Sequence, residues 1–388
     1  MSRLDELIQE LCPNGVEFKA LEDVIDYEQP SKYIVKNTDY SDGFPTPVLT
    51  AGQTFILGYT NEEDGIYEAN KEKPVIIFDD FTTANKWVDF RFKIKSSAMK
   101  ILTSKDNNKY DIRYLYHEIQ TIRYVPVDHS RQWIGTYSKF TIPVPPMEVQ
   151  REIVRILDNF TELTAELTAE LTARKKQYEY YRNTLFKFDE NNNKIKRLTL
   201  GDIGKVSMCK RILKAETSPN GEVPFYKIGT FGKEPDAYIT YDKFVEYKSK
   251  FSYPKRGDIL ISASGTIGRT VVYNGEPAYY QDSNIVWLAH DESVVLNKYL
   301  YYYYQLQPWN VSTGGTIARL YNDNIAKAKI CVPSITEQAR IVSILDRFDK
   351  LCNDISVGLP AEIEARKKQY EYYRDKLLTF KNIDSEAN

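Results

Sequence analysis

Two stretches of the chain repeat apolar residues every three or four positions, which is the pattern of an amphipathic helix. The first runs from Val149 to Leu185 and the second from Ile341 to Leu377. Each is long enough for a helix of about 40 residues, roughly 60 Å in length, which cannot bury its apolar stripe against itself. Because a whole domain separates the two stretches, we expect them to pack against each other as an antiparallel coiled coil. Two independent core helices are the alternative interpretation.

The two stretches are also copies of one another. The ten residues ARKKQYEYYR at 173–182 recur without change at 365–374. Upstream, IVRILDNF at 153–160 matches IVSILDRF at 341–348. Ten unbroken identities indicate an internal duplication of the chain.

Two details distinguish the copies. The first contains the tetrapeptide TAEL twice in tandem, with spacer residues Thr164, Leu167, Thr168 and Leu171. Adding or deleting one such unit moves the helix ends by roughly 6 Å, so the repeat can adjust the length of the helix. The second copy contains Gly358 and Pro360, which predict a kink or break near Leu359.

Two other segments, one before each long helix, have the alternating and β-branched runs of short strands. The predicted strands cover 47–51, 54–59, 74–80, 88–94 and 99–102 in the first segment and 223–229, 258–264, 269–273 and 284–289 in the second. Helices are expected at 111–121 and 297–306. Both segments end in similar runs, KFTIPVPP at 139–146 and KAKICVPS at 327–334. They are therefore predicted to be two domains of one kind.

The sequence thus predicts an α+β protein in which two similar mixed α/β domains are separated by two long helices packed as an antiparallel coiled coil. The predicted order is a first domain with a short N-terminal helix, a spacer helix, a linker with the second domain, a second spacer helix and a tail, over 1–145, 146–188, 189–333, 334–381 and 382–388. The helices share sequence closely, whereas the domain interiors share little. Such a contrast is expected if each domain binds something different.

The hydrophobic content, the cysteines and the net charge of the chain each argue against a class of protein. Hydrophobic residues make up 42% of the chain, yet no apolar run is long enough to predict a transmembrane helix, and no membrane is expected as a partner. The four scattered cysteines suit reduced thiols in a cytoplasmic protein, and their spacing does not predict a zinc site. The net charge of −2 argues against a freestanding nucleic-acid binder, for which a basic domain is expected.

In combination, these motifs resemble the specificity (S) subunits of type I restriction-modification systems. The resemblance covers the whole chain and is carried by the ILDxF…RKKQYEYYR helices, the IPVP and ICVP domain exits, LGDI at 200–203, the tandem TAEL, and TGGTIARL at 313–320. RQWIGTY at 131–137 departs from the last motif in the first domain.

The resemblance implies that each domain is a target recognition domain that reads one half of a bipartite site in double-stranded DNA. It implies that the helices set the half-site spacing and dock two modification subunits. Those subunits carry S-adenosylmethionine and methylate adenine. With restriction subunits as further partners, the assembly becomes an ATP-driven endonuclease, and S-adenosylmethionine, ATP and Mg are bound by the partners.

Catalytic motifs are absent from the sequence. It contains no G-x-G, no G-K-[ST] and no N-P-P-[YF], which would predict dinucleotide, nucleotide or amino-methyltransferase sites. The histidines, His117, His129 and His290, lack ligand-like spacing. Asp79 and Asp80, at the end of the predicted strand 74–80, suggest a metal-dependent nuclease, but no E-x-K partner follows at usable spacing, so a loop or helix cap is the favoured interpretation. The chain is predicted to be a subunit without catalysis or cofactor of its own.

Base readout is expected from polar side chains on loops at one edge of each domain, since Arg or Lys pairs with guanine and Asn or Gln with adenine. The candidates are Gln53, Thr82, Thr83, Lys86, Arg131 and Gln132 in the first domain, and Arg269, Gln281, Asn284, Thr316 and Arg319 in the second. For each of them, an ordinary surface or packing role is the alternative. For the whole chain, the alternatives are a coiled-coil adaptor that binds only proteins and a self-sufficient DNA enzyme.

Overall fold

A computed structural model describes residues 2–50, 54–311 and 318–383 of the chain. The chain divides into two compact units, residues 1–167 with 362–388 and residues 168–361. Each unit therefore combines one domain with helical segments from two distant parts of the sequence.

The domain of the first unit is made of short strands and helices. In chain order these are α1 (Arg3–Leu11), β1 (Glu17–Ala20), α2 (Leu21–Val24), β2 (Ile25–Glu28), β3 (Thr46–Leu49), β4 (Ile56–Thr60), β5 (Val75–Asp79), β6 (Asn85–Val88), β7 (Lys93–Ile94), β8 (Met99–Ser104), α3 (Ile112–Ile119) and β9 (Thr141–Val144). They are followed by the first spacer helix, α4, which is continuous over Met147–Leu185.

Three sheets organise this domain. An antiparallel sheet has the strand order β2-β8-β5-β6, and a second sheet has the order β4-β3-β7, with β3 and β7 parallel. The entry strand β1 pairs antiparallel with the exit strand β9, from Glu17 opposite Val144 to Ala20 opposite Thr141. Because β1 and β9 are neighbours, the chain enters and leaves the domain at the same place, directly before α4.

The second unit repeats this construction. Its elements are β10 (Lys196–Thr199), α5 (Leu200–Ile203), β11 (Lys205–Met208), β12 (Val223–Tyr226), β13 (Tyr238–Ile239), α6 (Tyr241–Lys250), β14 (Ile259–Ser262), β15 (Thr270–Val272), β16 (Tyr279–Tyr280), β17 (Ile285–Ala289), α7 (Asn297–Tyr304), α8 (Asn322–Ala326), β18 (Lys329–Val332) and α9 (Ile335–Asn353). The last helix of the chain, α10, covers Leu359–Leu377.

The sheets of the second domain match those of the first strand for strand. Their orders are β11-β17-β14-β15 and β13-β12-β16, with β12 and β16 parallel, and β10 pairs antiparallel with β18. The prediction of two domains of one kind is therefore confirmed, although their interiors have different sequences.

The spacer helices pack in pairs within each unit. In the first unit the ring of Phe160 on α4 stacks on Tyr373 of α10, with centroids 5.2 Å apart. In the second, Phe348 on α9 stacks on Tyr181 of α4 at 5.4 Å. The two stacks join equivalent positions of the sequence repeat, so the duplicated motifs make the same contact twice.

The direction of each pair follows from the cores. Val149 near the start of α4 and Leu378 just after α10 belong to one core cluster, and Ile341 near the start of α9 and Phe186 just after α4 belong to another. In both units, then, the beginning of one helix lies beside the end of the other. The predicted antiparallel packing is confirmed, and the interpretation as two independent core helices was wrong.

The second spacer helix, predicted over 334–381, is in fact the two helices α9 and α10. The break lies at 354–358, where the carboxylate of Asp354 accepts hydrogen bonds from the backbone N–H of Ser356 at 2.8 Å and of Val357 at 3.2 Å. A Cβ on Gly358 would come within 2.6 Å of two backbone carbonyl oxygens. The break therefore falls where Gly358 and Pro360 predict it.

One predicted strand, 88–94, is wrong. Its two ends belong to different sheets, because β6 ends at Val88 and β7 begins at Lys93. The side chain of Lys93 is buried, and its ammonium group lies 2.9 Å from the carboxylate of Glu62. Helices α6 and α8 were not predicted from the sequence.

Candidate nucleic-acid interface

In the first domain, two loops that carry candidate residues meet at Asp80. One joins β5 to β6, and the other leads from α3 to β9. The backbone carbonyl of Asp80 accepts a hydrogen bond from the N–H of Gln132 at 2.8 Å, and its carboxylate accepts one from the N–H of Trp133 at 2.8 Å. The structure thus brings the loop of Thr82 and Thr83 next to the loop of Arg131.

The two neighbouring aspartates hold these loops in place. Asp80 is 1% exposed, and its carboxylate lies 3.2 Å from the buried ammonium group of Lys100. Asp79 accepts hydrogen bonds from the N–H of Phe81 at 2.9 Å and from the hydroxyl of Thr82 at 2.6 Å. Both carboxylates are occupied by protein partners, which agrees with the loop role expected for them.

The remaining candidates of the first domain differ in exposure. Arg131 and Lys86 are exposed, the latter on β6. Gln132 is only 3% exposed, and its amide donates to the carbonyl of Ser130 and accepts from the hydroxyl of Tyr124. It braces the loop from inside, so its expected role as a base reader needs correction. Gln53 lies outside the described residues.

The turn after β5 also contains a residue with a positive φ angle. Thr83 has a φ of 62°, in the left-handed region that β-branched residues rarely adopt. Such conformations persist where the surrounding structure enforces them, and they are enriched at ligand-binding loops. The role of Thr82 and Thr83 in base readout stays a prediction.

In the second domain, a cavity of about 540 Å³ lies between the loop after β11, the loop after β12 and the connection from β16 to β17. Its polar walls include Arg211, Lys214, Lys227, Gln281 and Asn284. Two of the sequence candidates, Gln281 and Asn284, are therefore brought together at one open surface.

The connection 281–284 is held by contacts from three directions. The side-chain oxygen of Gln281 accepts the backbone N–H of Ile228 at 3.0 Å, and that of Asn284 accepts the hydroxyl of Ser264 at 2.9 Å. Between them, Ser283 has a φ of 54°. Its carbonyl accepts a hydrogen bond from the guanidinium of Arg319 at 2.8 Å. The segment is thus fixed with a strained residue at its centre.

The two arginine candidates of this domain are engaged with backbone carbonyls. Arg319 donates to Ser283 as described, and Arg269 donates to the carbonyl of Phe231 at 2.9 Å. Both side chains are half-buried. Thr316 lies outside the described residues.

Sequence reasoning missed the cations of the cavity. Arg211 lies in the loop after β11, and its Nε donates to the carboxylate of Asp282 at 2.8 Å. Lys227, directly after β12, lies 2.8 Å from a carboxylate oxygen of Asp236. The run KRILK at 210–214 was the available signal, because it is a basic cluster directly after a strand. Burial raises the pKa of the preceding Cys209 to about 12, so this thiol stays protonated at neutral pH.

A polar clamp attaches the first domain to its helices. On α3, Arg113 donates to the carboxylate of Asp158 on α4 at 2.8 Å. His117 is fully buried, and its two ring nitrogens contact Asp158 at 3.1 Å and the hydroxyl of Tyr370 on α10 at 3.0 Å. Burial lowers the pKa of His117, although the hydrogen bond to Asp158 opposes this effect. One domain helix therefore bridges both spacer helices.

The second unit carries an equivalent clamp. Lys298 and Tyr302 on α7 both bond Asp346 on α9, at 2.9 Å and 2.5 Å. Asp158 and Asp346 occupy the same position of the repeated ILDxF motif. The motif thus serves to fix each domain to its helix.

Two buried glutamines reinforce this attachment. The amide of Gln150 donates to the carbonyls of Lys109 and Pro145 and accepts the N–H of Asp111, each at 2.8 Å. Gln338 makes the same three kinds of contact in the second unit. Each domain is therefore held in a defined orientation on the helix that follows it.

The repeated ARKKQYEYYR segments also present equivalent surfaces. Tyr180 is 66% exposed and Tyr372 is 62% exposed, and the lysines of both segments are exposed. Arg174 and Arg366 each donate to the glutamine three residues later at 3.0 Å. Each unit thus displays the same aromatic and basic patch, which we call the tyrosine patch.

Within the described ranges, no group of three or more His, Cys, Asp and Glu side chains could hold a metal ion. Over the same residues, no helix combines the length and apolar character that crossing a membrane requires.

Comparison with known proteins adds to these observations. A family model described as the type I restriction modification DNA specificity domain matches residues 13–174 and 192–365. A putative type I restriction enzyme specificity subunit from Haemophilus influenzae is 46% identical over 378 residues, with 94% of this chain and 96% of that protein covered. The type I restriction enzyme EcoR124I/EcoR124II specificity subunit from Escherichia coli is 44% identical over 413 aligned positions, with 100% of this chain and 99% of that protein covered.

Two solved structures have a similar fold. The S subunit of a type I restriction-modification system from M. genitalium has a TM-score of 0.57 at 14% identity, with 94% of this chain and 96% of that chain covered. A chain from a study of complex assembly and conformational transition of a type I system has a TM-score of 0.56 at 16% identity, with 95% and 98% covered. At these identities, the likeness concerns the fold.

Proposed function

Because this chain belongs to the family of type I restriction-modification DNA specificity subunits, we propose that each of its two domains reads one half of a bipartite DNA site. The observation that carries this proposal is a repeated framework with unlike edge loops. Both domains have the same sheets, yet the turn after β5 is DFTTA at 80–84 and the turn after β14 is ASGTIGR at 263–269. Equal frameworks with different loops suit two readers of different sequences.

We infer further that the spacer helices set the distance between the half-sites. Helix α4 is continuous through both TAEL units. A further unit of four residues would lengthen it by about 6 Å and turn one end by about 40° relative to the other. Since modular readers bind half-sites at spacings tied to the DNA turn of roughly 34 Å, such a change should alter the preferred spacer.

The tyrosine patches are the surfaces we assign to partner subunits. Their sequences are identical in the two copies, and their exposed tyrosines are accessible to almost the same extent. Two equal surfaces on one chain fit two copies of one partner, and the modification subunits are the proposed occupants. We assign S-adenosylmethionine, ATP and Mg to partner subunits because the family resemblance implies it. The sequence itself contains no G-x-G or G-K-[ST] motif for a dinucleotide or nucleotide.

A domain exchange tests the proposed reading of half-sites. Residues 16–145 are replaced by the corresponding domain of another specificity subunit, and the chain is assembled with its modification subunits. Mapping of methylated adenines should then show one changed half-site and one unchanged half-site. A change in both halves, or in neither, would contradict the proposal.

Two further measurements distinguish the alternatives. A gel shift of the assembled complex without any sequence preference would favour an adaptor that binds only proteins. Methylation or cleavage of DNA by the isolated chain, dependent on S-adenosylmethionine or a metal, would favour a self-sufficient enzyme.

A further inference from the structure

The polar walls of the cavity in the second domain carry hydrogen-bond donors together with two carboxylates, Asp236 and Asp282, which pair with Lys227 and Arg211. Gln281 and Asn284 both line it, and the side-chain oxygen of each is already engaged by a protein donor, the N–H of Ile228 and the hydroxyl of Ser264. In the described part of the chain, neither amide NH₂ group has an acceptor. These NH₂ groups, with the cationic side chains of the cavity, are suited to a partner that offers acceptors.

The guanidinium of Arg211 is held in place and exposed, as a base contact requires. Its side chain is 66% exposed, whereas that of Asp282, which accepts from its Nε at 2.8 Å, is only 17% exposed. Among the described residues, neither Nη atom of Arg211 has a hydrogen-bond partner. The half-buried carboxylate of Asp282 therefore holds the guanidinium through Nε and leaves both Nη atoms available to donate. A fork of two donors is the arrangement that bonds two neighbouring acceptors.

The two arginines of the second domain that were predicted from the sequence do not share this arrangement. Arg269 and Arg319 donate to the backbone carbonyls of Phe231 and Ser283 and are half-buried. Their contacts stabilise loops of the domain. Arg211 is therefore the arginine of this region that combines a fixed orientation with exposure.

The hydrogen-bond donors of the cavity can be compared with the groove edge of each base. In the major groove guanine presents two acceptors, O6 and N7, whereas cytosine presents a donor, adenine one donor and one acceptor, and thymine one acceptor with a methyl group. Donors on Arg211, Gln281 and Asn284 match the guanine edge best. Lys214 is exposed on the rim, where it suits a phosphate.

We propose that Arg211 reads a guanine in the half-site of the second domain, with Asp282 as the positioning residue that holds its guanidinium. This inference rests on the proposed function, since it assumes that the second domain faces DNA. Arg211 was not among the candidate residues predicted from the sequence.

The test uses the full chain assembled with its modification subunits and a duplex library randomised through the second half-site. In Arg211→Ala, the preference for guanine at one position should fall by roughly 10- to 100-fold, while the other positions keep theirs. Arg211→Lys should retain part of the preference, because a lysine can still donate to guanine. Asp282→Asn should weaken the preference at the same position, which a general loss of folding would not do.

Two control variants make the result specific. Lys214→Ala should lower methylation of all library members alike, as expected for a phosphate contact. Arg340→Ala should change nothing, since Arg340 has a similar pairing with Glu337, at 2.8 Å, but lies on α9 away from the cavity.

The outcomes separate this inference from the proposed function. If the wild-type complex shows no bipartite preference, the proposed function fails and the inference fails with it. If the wild-type complex reads two half-sites but Arg211→Ala keeps every base preference, or lowers all of them equally, the assignment of Arg211 is wrong and the proposed function stands.

Discussion

Replacing Glu118 by glutamine should stabilise the first unit at neutral pH. Glu118 lies on α3, is 2% exposed, and contacts the hydroxyl of Tyr114 at 2.5 Å. Burial raises the pKa of this carboxyl from 4.5 to about 8. In the folded protein the side chain therefore carries a proton at pH 7, whereas in the unfolded chain it is ionised.

The sign and size of the effect follow from this difference. Between pH 4.5 and 8 the unfolded state binds fewer protons than the folded state, so the free energy of unfolding falls as the pH rises. Each pH unit costs about 1.4 kcal/mol, which amounts to about 3 kcal/mol at pH 7 relative to pH 4.5. Glutamine does not ionise, so Glu118→Gln should recover up to about 3 kcal/mol at pH 7, reduced by any loss in hydrogen-bond geometry.

Hydrogen exchange of the full chain between pH 6 and 8.5, corrected for intrinsic exchange rates, can measure this locally. Peptides covering α3 should gain protection in the variant, and the pH dependence of that protection should flatten. Helix α7 is an internal control, because Tyr303 occupies the position equivalent to Glu118. If α3 shows the same protection and the same slope in both proteins, then Glu118 is ionised in the folded state and the reasoning is refuted.

Four further predictions concern the clamps, the core and the spacer. Gln150→Ala should lower the free energy of unfolding of the first unit by on the order of 3 kcal/mol in urea denaturation, because three hydrogen bonds are lost, and equal stability would contradict the role of this amide. Leu345→Ala, at a fully buried position, should cost about 2–5 kcal/mol in the second unit, measured by thermal unfolding. Below about pH 6.5 the unfolded chain binds a proton at His117 before the folded chain does, so stability should fall on acidification, and His117→Phe should remove that part of the slope in a pH titration of unfolding. A third TAEL unit inserted after Leu171 should shift methylation to sites with a longer spacer, and an unchanged spacer would refute the role of helix length.

The repeated helices were predictable from the sequence because their apolar periodicity and their duplicated motifs lie within each stretch. The stripes, the ILDxF motif and the ARKKQYEYYR motif specify helices that must pair, and Phe160 with Tyr373 and Phe348 with Tyr181 do so. The break at Gly358 was also predictable, since glycine and proline act through the backbone.

The edge loops were not predictable to the same degree. Whether a polar loop residue faces solvent depends on partners distant in sequence, and no local pattern shows them. Gln132 is buried and bonds Tyr124 and Asp80, and Arg211 is oriented by Asp282, which lies 71 residues away. The strand predicted at 88–94 failed for a related reason, because consecutive short strands can belong to different sheets.

The unequal construction of the two spacer segments has a mechanical consequence. Helix α4 is one uninterrupted strut, whereas its counterpart is jointed between Asn353 and Leu359, where regular helical bonding stops. An insertion of whole TAEL units therefore extends an unbroken helix, whereas residues 354–358 interrupt the helix of the second copy. A substitution at Gly358, where a Cβ would meet two backbone carbonyl oxygens at 2.6 Å, should therefore disturb the second copy and leave α4 intact.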